Sequence, residues 1–253
     1  MSLGSAVVSA AYGRGVKRLI PWLIWEAAPE VAPDSAPGAG LPGAGPSNAR
    51  PPGQVSLRPL RLADEHRYIA LRAANRDWLT PWDATSPLGD DRSASPGARY
   101  RAMTRQLTRS ARRGEHLPWL IWYDDRATGE AQGAEASRMV GQLTAGPIIY
   151  GSARTASLGY WIDQGHAGRG IMTCAVALAV EHLLGARDLH RVEINIRPEN
   201  HASLAVVRKL GLREEGLRRQ YLHIAGDWRD HRSFAITQDE LPDMRRVLGQ
   251  MAR

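Results

Sequence analysis

The stretch QGHAGRGIMTCAVALAVEHLL, from Gln164 to Leu184, runs three glycines into a long apolar segment. Its apolar residues recur every three or four positions, which predicts a helix from Gly170 to Leu184 that Gly185 ends. Glycine permits positive φ and lets a ligand come close to the backbone. Several glycines at a helix N-terminus therefore predict exposed N–H groups that face an anion.

Two common phosphate-binding turns do not fit this segment. A Walker loop needs a lysine and a hydroxyl after its last glycine, and Ile171 and Met172 stand there instead. A dinucleotide fingerprint needs a third glycine where this chain has Thr173. A phosphate-binding turn in this segment would therefore be of another kind, and the alternative is a glycine-rich turn that binds nothing.

The surrounding sequence alternates strands and helices. RVEINIR, from Arg191 to Arg197, places apolar residues on one face and polar residues on the other, which is typical of a strand. Asn200 then caps a helix that ends at Gly211. Further strands are predicted at 55–57, 117–123, 138–150, 157–162, 222–224 and 232–236, and further helices at 62–71, 98–113 and the C-terminus. This order predicts an α/β protein with a mixed sheet.

The composition is that of a globular protein. Its 253 residues carry a net charge of +7 and give a pI near 10.0, which favours anionic partners. Cys174 is the only cysteine, so the chain forms no intramolecular disulfide. No apolar run approaches the roughly 20 residues of a membrane-spanning helix, and the histidines lack metal-ligand spacing. We expect a cytoplasmic protein with no metal and no membrane partner.

The N-terminal region differs from the rest of the chain. Residues 27–53 are almost entirely Ala, Pro and Gly, which offer too little apolar surface to offset the entropy of ordering. We expect residues 1–53 to be a disordered or weakly ordered arm, and residues 54–253 to be the folded domain. PWLIW occurs in the arm, at Pro21 to Trp25, and again in a predicted strand, at Pro118 to Trp122. We interpret the repeat as coincidence, with mimicry of a sheet edge as the alternative.

Three motifs together resemble one family. AGRGIMT, from Ala167 to Thr173, resembles the Q/R-x-x-G-x-G/A turn of the GNAT acetyltransferase superfamily, although Gly165 stands at the usual Arg or Gln position. NIRPENHASLAVVRKLGLREEG is similar to the second GNAT signature, and YLHIAGDWRDHRSFAIT to the RimJ/RimL branch of ribosomal-protein N-acetyltransferases. The resemblance spans Gln54 to Glu240. It implies a GNAT fold, with a central mixed twisted sheet flanked by helices, and acetyl-CoA as co-substrate.

The resemblance also implies a cofactor site. The pyrophosphate of coenzyme A would lie on the backbone N–H groups of the glycine turn. The strand before the turn would splay from the strand after the helix, so that backbone groups bind the pantetheine arm and a donor between Trp161 and Asp163 stabilises the oxyanion. Asn200 is a helix cap, a cofactor ligand, or both. The cofactor-binding candidates are Trp161, Ile162, Ala167, Gly168, Arg169, Gly170, Ile171, Met172, Thr173 and Asn200.

Catalytic candidates follow from the same resemblance. Ser203 is the candidate general acid, because RimL-like relatives have a serine there, whereas many other members have a tyrosine where this chain has Val207. The alternative is an ordinary residue of the first helical turn. Some relatives have a glutamate base where this chain has Asn195, which accepts no proton. Glu193, on the same face, could act through water or be an ordinary paired carboxylate.

The acceptor is less well determined by sequence. Trp78 and Trp82 resemble the acceptor-side segment of the RimJ/RimL branch, with core packing as the alternative, and Tyr221 lies in the C-terminal motif. An α-amine, with a pKa of about 8, loses its proton more easily than a lysine, with a pKa of about 10.4. A site without an obvious strong base therefore favours acetyl transfer to a protein N-terminus, with ribosomal proteins among the candidates.

Two alternatives stay open at this point: acetylation of a small amine such as an antibiotic, and a non-catalytic acyl-CoA-binding module. We expect a monomer or a homodimer, and no specific nucleic acid as a partner. Loss of the catalytic groups, which Asn195 and Val207 would indicate, favours the non-catalytic module.

The composition of the arm generates a first prediction. A chain that begins at Gln54 should fold and should keep the stability of the full chain, because residues 1–53 offer little to a core. Urea unfolding of both chains, followed by circular dichroism, measures this. A shortened chain that fails to fold would show instead that the first PWLIW is part of the sheet.

Overall fold

The structure is a computed structural model, and it describes residues 53–89, 94–125 and 137–251, with side chains to residue 246. The proposed N-terminal arm and its PWLIW segment lie outside the described residues. The seven strands are β1 (Gln54–Pro59), β2 (Leu117–Asp124), β3 (Ser137–Ile149), β4 (Thr155–Ile162), β5 (Arg191–Ile196), β6 (Arg213–Ile224) and β7 (Asp227–Thr237). They form one sheet in the order β1-β2-β3-β4-β5-β7-β6. All neighbouring strands are antiparallel except β4 and β5, so the sheet is mixed, as predicted.

Helices cover both faces of this sheet. They are α1 (Glu65–Ala74), α2 (Arg76–Leu79), α3 (Pro96–Arg112), α4 (Ile171–Glu181), α5 (His201–Lys209) and α6 (Leu241–Met251). Short 3-10 turns occupy Leu62–Asp64, Thr80–Trp82, Gln164–His166 and Gln238–Glu240. None of the described helices is long and apolar enough to cross a membrane.

The alternating side chains of β2 show which helices cover which face of the sheet. Leu120 and Trp122 pack with residues of α1 and α3. Trp119 and Tyr123 point the other way, and they contact His182 and His166, which flank α4 on either side. Helices α1 and α3 therefore cover one face, and α4 covers the opposite one. Helix α4 is apolar nearly all round, and most of its residues are buried.

Two predicted boundaries were wrong. The C-terminal strands are 12 and 11 residues long rather than short segments, because most side chains of the edge strand β6 are exposed and lack an apolar alternation. Gly185 does not end α4 with a left-handed residue. The helix passes into a π turn, His182–Ala186, and the left-handed residue is Asp188, with a φ of 53°.

The pairing of β4 with β5 stops halfway. Only the register pairs from Thr155↔Arg191 to Ser157↔Glu193 form. Beyond them β4 stays with β3 and β5 stays with β7, so the two parallel strands separate. This confirms the predicted splay. Because α4 follows β4 and α5 follows β5, both helix N-termini lie at the open end of the resulting cleft.

Candidate active site

The glycine turn at the head of α4 presents unpaired backbone donors. Gly168 and Gly170 have φ values of 75° and 79°, which side chains rarely adopt. The first hydrogen bond of the helix runs from Cys174 N–H to the Gly170 carbonyl, at 3.1 Å. The four N–H groups that precede Cys174 therefore have no partner within the helix, and the positive end of the helix dipole lies at the same place. This end of the cleft suits an anion.

The predicted cofactor residues of this turn differ in what they can offer. Ile171, Met172 and Thr173 have buried side chains, so they can face a ligand only through the backbone. Ala167 N–H already donates to the Gln164 carbonyl, at 3.1 Å. The Arg169 guanidinium lies over the Tyr123 ring, 5.2 Å from its centroid, and adds a positive charge beside the turn.

A polar network holds the segment between β4 and the turn. The buried amide of Asn75, at the C-terminal end of α1, donates to Asp163 Oδ1 at 2.6 Å and accepts from Gln164 N–H at 2.8 Å. Asp163 Oδ2 lies 2.6 Å from His166 Nδ1. Burial by itself would raise the pKa of Asp163, but the hydrogen bonds from His166 and Asn75 lower it overall. Asp163 is thus an ionised anchor for the glycine turn.

The end of β4 is fixed by side chains from two other elements. Trp78 Nε1, on α2, donates to the Ile162 carbonyl at 3.1 Å. Trp161 Nε1 reaches Gln142 Oε1 at 3.3 Å, and Asp163 N–H donates to the Val140 carbonyl at 2.8 Å. Of the backbone donors predicted for the oxyanion, the one at Asp163 is therefore engaged, and the N–H of Trp161, two residues earlier on the same strand, also points toward β3, which leaves Ile162.

A pair of hydroxyl groups lies in the cleft on the face covered by α4 and α5. Tyr160 Oη is 2.7 Å from Ser203 Oγ, and both residues are half-buried. Asn200 Oδ1 accepts from Ser203 N–H at 3.0 Å, so Asn200 has the capping role. Burial raises the pKa of Tyr160 to about 12, which keeps its hydroxyl protonated at neutral pH. Sequence reasoning missed Tyr160, because an aromatic residue in a strand carries no signal of its own.

The other face of the cleft carries the remaining catalytic candidates. Asn195 Oδ1 accepts from Ser233 Oγ, on β7, at 2.6 Å. Glu193 Oε1 lies 2.8 Å from Arg191 Nε, and its Oε2 lies 3.2 Å from Arg218 Nη2. Both oxygens of this carboxylate are therefore ion-paired.

Of the three predicted acceptor residues, Trp82 and Tyr221 lie on the same face as Asn195, and Trp78 has a different contact. The Arg197 guanidinium lies over the Trp82 ring at 5.1 Å and donates to the Pro81 carbonyl at 2.7 Å. Tyr221, on β6, lies below the Arg218 guanidinium at 4.8 Å. Trp78 instead supports β4 through its bond to Ile162.

The described residues contain no group of three or more His, Cys, Asp or Glu side chains that could hold a metal ion. Among the described residues, the cleft offers backbone donors, hydroxyl groups, an amide and a paired carboxylate.

Comparisons with known proteins agree with this geometry. Residues 54–213 match the family model described as Acetyltransferase (GNAT) domain. The chain is 31% identical over 182 residues to probable N-acetyltransferase YjcK of Bacillus subtilis, covering 72% of this chain and 93% of YjcK. It is 28% identical over 184 residues to the [Ribosomal protein uS5]-alanine N-acetyltransferase of Escherichia coli, covering 73% of this chain and 88% of that protein.

One of the solved structures that resemble this chain is a complex with a coenzyme A derivative. Mycobacterium smegmatis RimJ, in complex with CoA-disulfide, is 36% identical, with a TM-score of 0.66, and the match covers 79% of this chain and 90% of that one. The turn, the splayed strands and the family match agree with one another. The chain belongs to the GNAT acetyltransferase family and is an acetyl-CoA-dependent N-acetyltransferase.

Proposed function

We propose that this enzyme acetylates the α-amine of a protein N-terminus by direct attack on acetyl-CoA. The observation that carries the proposal is the splay of β4 and β5, with a hydroxyl pair on one face and Asn195 on the other. A thioester lying in this gap can receive an amine from one side and release a thiolate on the other. The likeness to a uS5-alanine N-acetyltransferase supports a protein acceptor.

The cofactor takes its orientation from the turn. The pyrophosphate lies on the N–H groups from Gly168 to Thr173, with Arg169 beside it, and the pantetheine arm runs between β4 and β5 along their unpaired edges. The thioester carbonyl then lies near the end of β4, where the Ile162 N–H can donate to the oxyanion. Asn200 shapes this region as the cap of α5.

The general acid is the pair of hydroxyl groups of Tyr160 and Ser203. As the carbon–sulfur bond breaks, the sulfur gains negative charge, and its conjugate acid has a reference pKa of about 8.5. Ser203 donates the proton, and Tyr160 stabilises the resulting charge on the Ser203 oxygen by donating from its own hydroxyl. The partners are protein N-termini, and Trp82 and Tyr221 form the aromatic wall against which the first residues of the acceptor pack.

The acceptor class is tested with two short peptides that begin with Ala or Ser and contain one internal lysine. We expect acetyl-CoA-dependent acetylation at the N-terminal nitrogen, located by fragment-ion mass spectrometry, because the α-amine is the weaker base of the two amines. The same peptides with a blocked N-terminus are the control and should stay unmodified. Acetylation of the lysine, or of a small polyamine in preference to both peptides, would contradict the proposal.

The turn is tested by adding one methyl group to it. A Cβ at Gly168 meets nothing within 4 Å and enters the space assigned to the pyrophosphate, so Gly168→Ala should raise the dissociation constant of acetyl-CoA about tenfold or more. Gly151→Ala is the matched control, because Gly151 has the same φ of 75° and equally open surroundings in the turn between β3 and β4. Calorimetry that gives both variants the same affinity would remove the turn from the cofactor site.

The acid is tested by Ser203→Ala. Asn200 caps the backbone N–H at this position, so the variant keeps the cap and should lose little stability. We expect turnover to fall about 10² to 10⁴-fold with little change in acetyl-CoA affinity, because the bond strengthens only as the sulfur gains charge. Tyr160→Phe should lower turnover by a smaller factor. A turnover of Ser203→Ala within about threefold of the parent, well short of the general-acid range, would exclude Ser203 as the acid.

A further inference from the structure

The cleft as described lacks a group that takes a proton from the attacking amine. Asn195 is an amide, and both oxygens of Glu193 are held by arginines. His231, on β7, lies close to Asn195 and has no role so far. It is 4% exposed, and sequence reasoning assigned it nothing.

His231 lies on the amine side of the cleft. It is two residues from Ser233 along β7, so both side chains project from one face, and the Ser233 hydroxyl reaches Asn195. Ala156 and Val192 are register partners, which puts Tyr160 on the face of Val192 and Asn195 on the opposite one. The histidine and the hydroxyl pair are therefore separated by the plane of the splayed strands.

The hydrogen bonds of the ring determine which nitrogen can accept a proton. Nδ1 lies 3.0 Å from the Arg229 carbonyl oxygen, which can only accept, so Nδ1 carries the hydrogen. In the neutral ring the lone pair is then on Nε2. Among the described residues Nε2 has no hydrogen-bond partner. It is also not one of the fully buried polar atoms that lack a partner.

Charged groups surround the ring on three elements. Arg218 is the register partner of His231 on β6, and the Tyr221 ring meets it edge-on at 5.7 Å. Arg197 and Glu199 approach from the segment between β5 and α5, and Asp230 from β7 itself. Burial, and then Arg197, lower the pKa of His231, while the bond to the Arg229 carbonyl, Glu199 and Asp230 raise it less. The balance lies below the ordinary histidine value, so the ring is neutral at neutral pH.

Two of these neighbours, Tyr221 and Arg197, connect His231 to the aromatic wall of Trp82 and Tyr221. Tyr221 packs against His231 directly, and Arg197, which also acts on the ring electrostatically, lies over Trp82. In the proposed function the amine enters between these aromatic side chains, and it therefore passes beside His231.

We propose that His231 Nε2 is the general base of the acetyl transfer, an assignment that rests on the proposed function. The amine lone pair forms the carbon–nitrogen bond, the carbon–sulfur bond breaks, and sulfur keeps its electron pair. The amine proton passes to Nε2, directly or through one water, and the thiolate takes a proton from Ser203. His231 afterwards releases its proton to solvent, and the Ser203 oxygen takes one from solvent, which restores both groups. The amine nitrogen becomes strongly acidic as the new bond forms, so a neutral imidazole is basic enough to take its proton.

The pH dependence of kcat/KM between pH 5 and 9, measured with an Ala- or Ser-initiated peptide, tests the assignment. Protonation of the free α-amine, with a pKa of about 8, gives log kcat/KM a slope of one below that pH. Protonation of His231 should add a second unit of slope below its own pKa, which burial lowers from the ordinary histidine value of about 6.5. His231→Asn keeps a donor for the Arg229 carbonyl but removes the base, so kcat/KM should fall about 10² to 10⁴-fold at pH 7.5 and the slope should stay at one.

His223→Asn is the matched control. His223, on β6, also has Nδ1 near a backbone carbonyl, that of Thr85 at 3.2 Å, and also meets an aromatic ring edge-on, that of Trp228 at 5.6 Å. It should keep the parental rate and both slopes.

Three outcomes would overturn the assignment. His231→Asn could stay within threefold of the parent, or it could lose rate but keep the second slope, as a purely structural role requires. The parent enzyme could lack the second slope, a result that needs no variant to fold. A parent enzyme that binds acetyl-CoA but acetylates neither peptide would instead refute the protein acceptor, and the inference about His231 would fall with it.

Discussion

The loss of hydrogen bonds between β4 and β5 after Ser157 is the constraint on which the site depends. In a continuous sheet every backbone group between these strands would be paired, and no ligand could enter. Separation leaves one edge of each strand open while the other edge stays bound to β3 or β7. The opening is thus held by the pairing of each strand with the rest of the sheet. Both helix N-termini that follow the strands face it.

The splay also separates two proton transfers. Acetyl transfer to an amine requires one proton to leave nitrogen and another to reach sulfur. Neutral groups on opposite faces can carry out both transfers without exchanging a proton with each other. Tyr160 and Ser203 lie on one face, and His231 on the other, each partly or fully removed from water. Burial raises the pKa of Tyr160 and lowers that of His231, so at neutral pH the hydroxyl is protonated and the imidazole is neutral, as the proposed roles require.

The apolar helix α4 and its glycine turn were predictable from sequence, because helical spacing and glycine placement are local signals. Asn195 and Ser203 were also placed correctly on their elements, since β5 alternates cleanly and Asn200 caps α5. The contact between Asn75 and Asp163 was not predictable, because 88 residues separate the partners. Tyr160 and His231 were missed for a related reason: each gains its role from a neighbour on another strand or helix. Only the last three residues of strand β6 were predicted, because an exposed edge strand need not alternate.

The Asn75 amide has a consequence for how the two substrates influence each other. It connects the end of α1 to Asp163 and Gln164, and α2, which follows it directly, carries Trp78 and precedes Trp82. The Asn75 side chain thus connects the segment that carries the proposed aromatic wall with the segment that leads into the glycine turn. An acceptor that displaced α2 would strain the hydrogen bonds that hold the turn, and thermodynamic linkage requires any such coupling to change both affinities by the same factor. Loss of these two hydrogen bonds, at a residue that contacts neither ligand in the proposed site, would weaken that coupling.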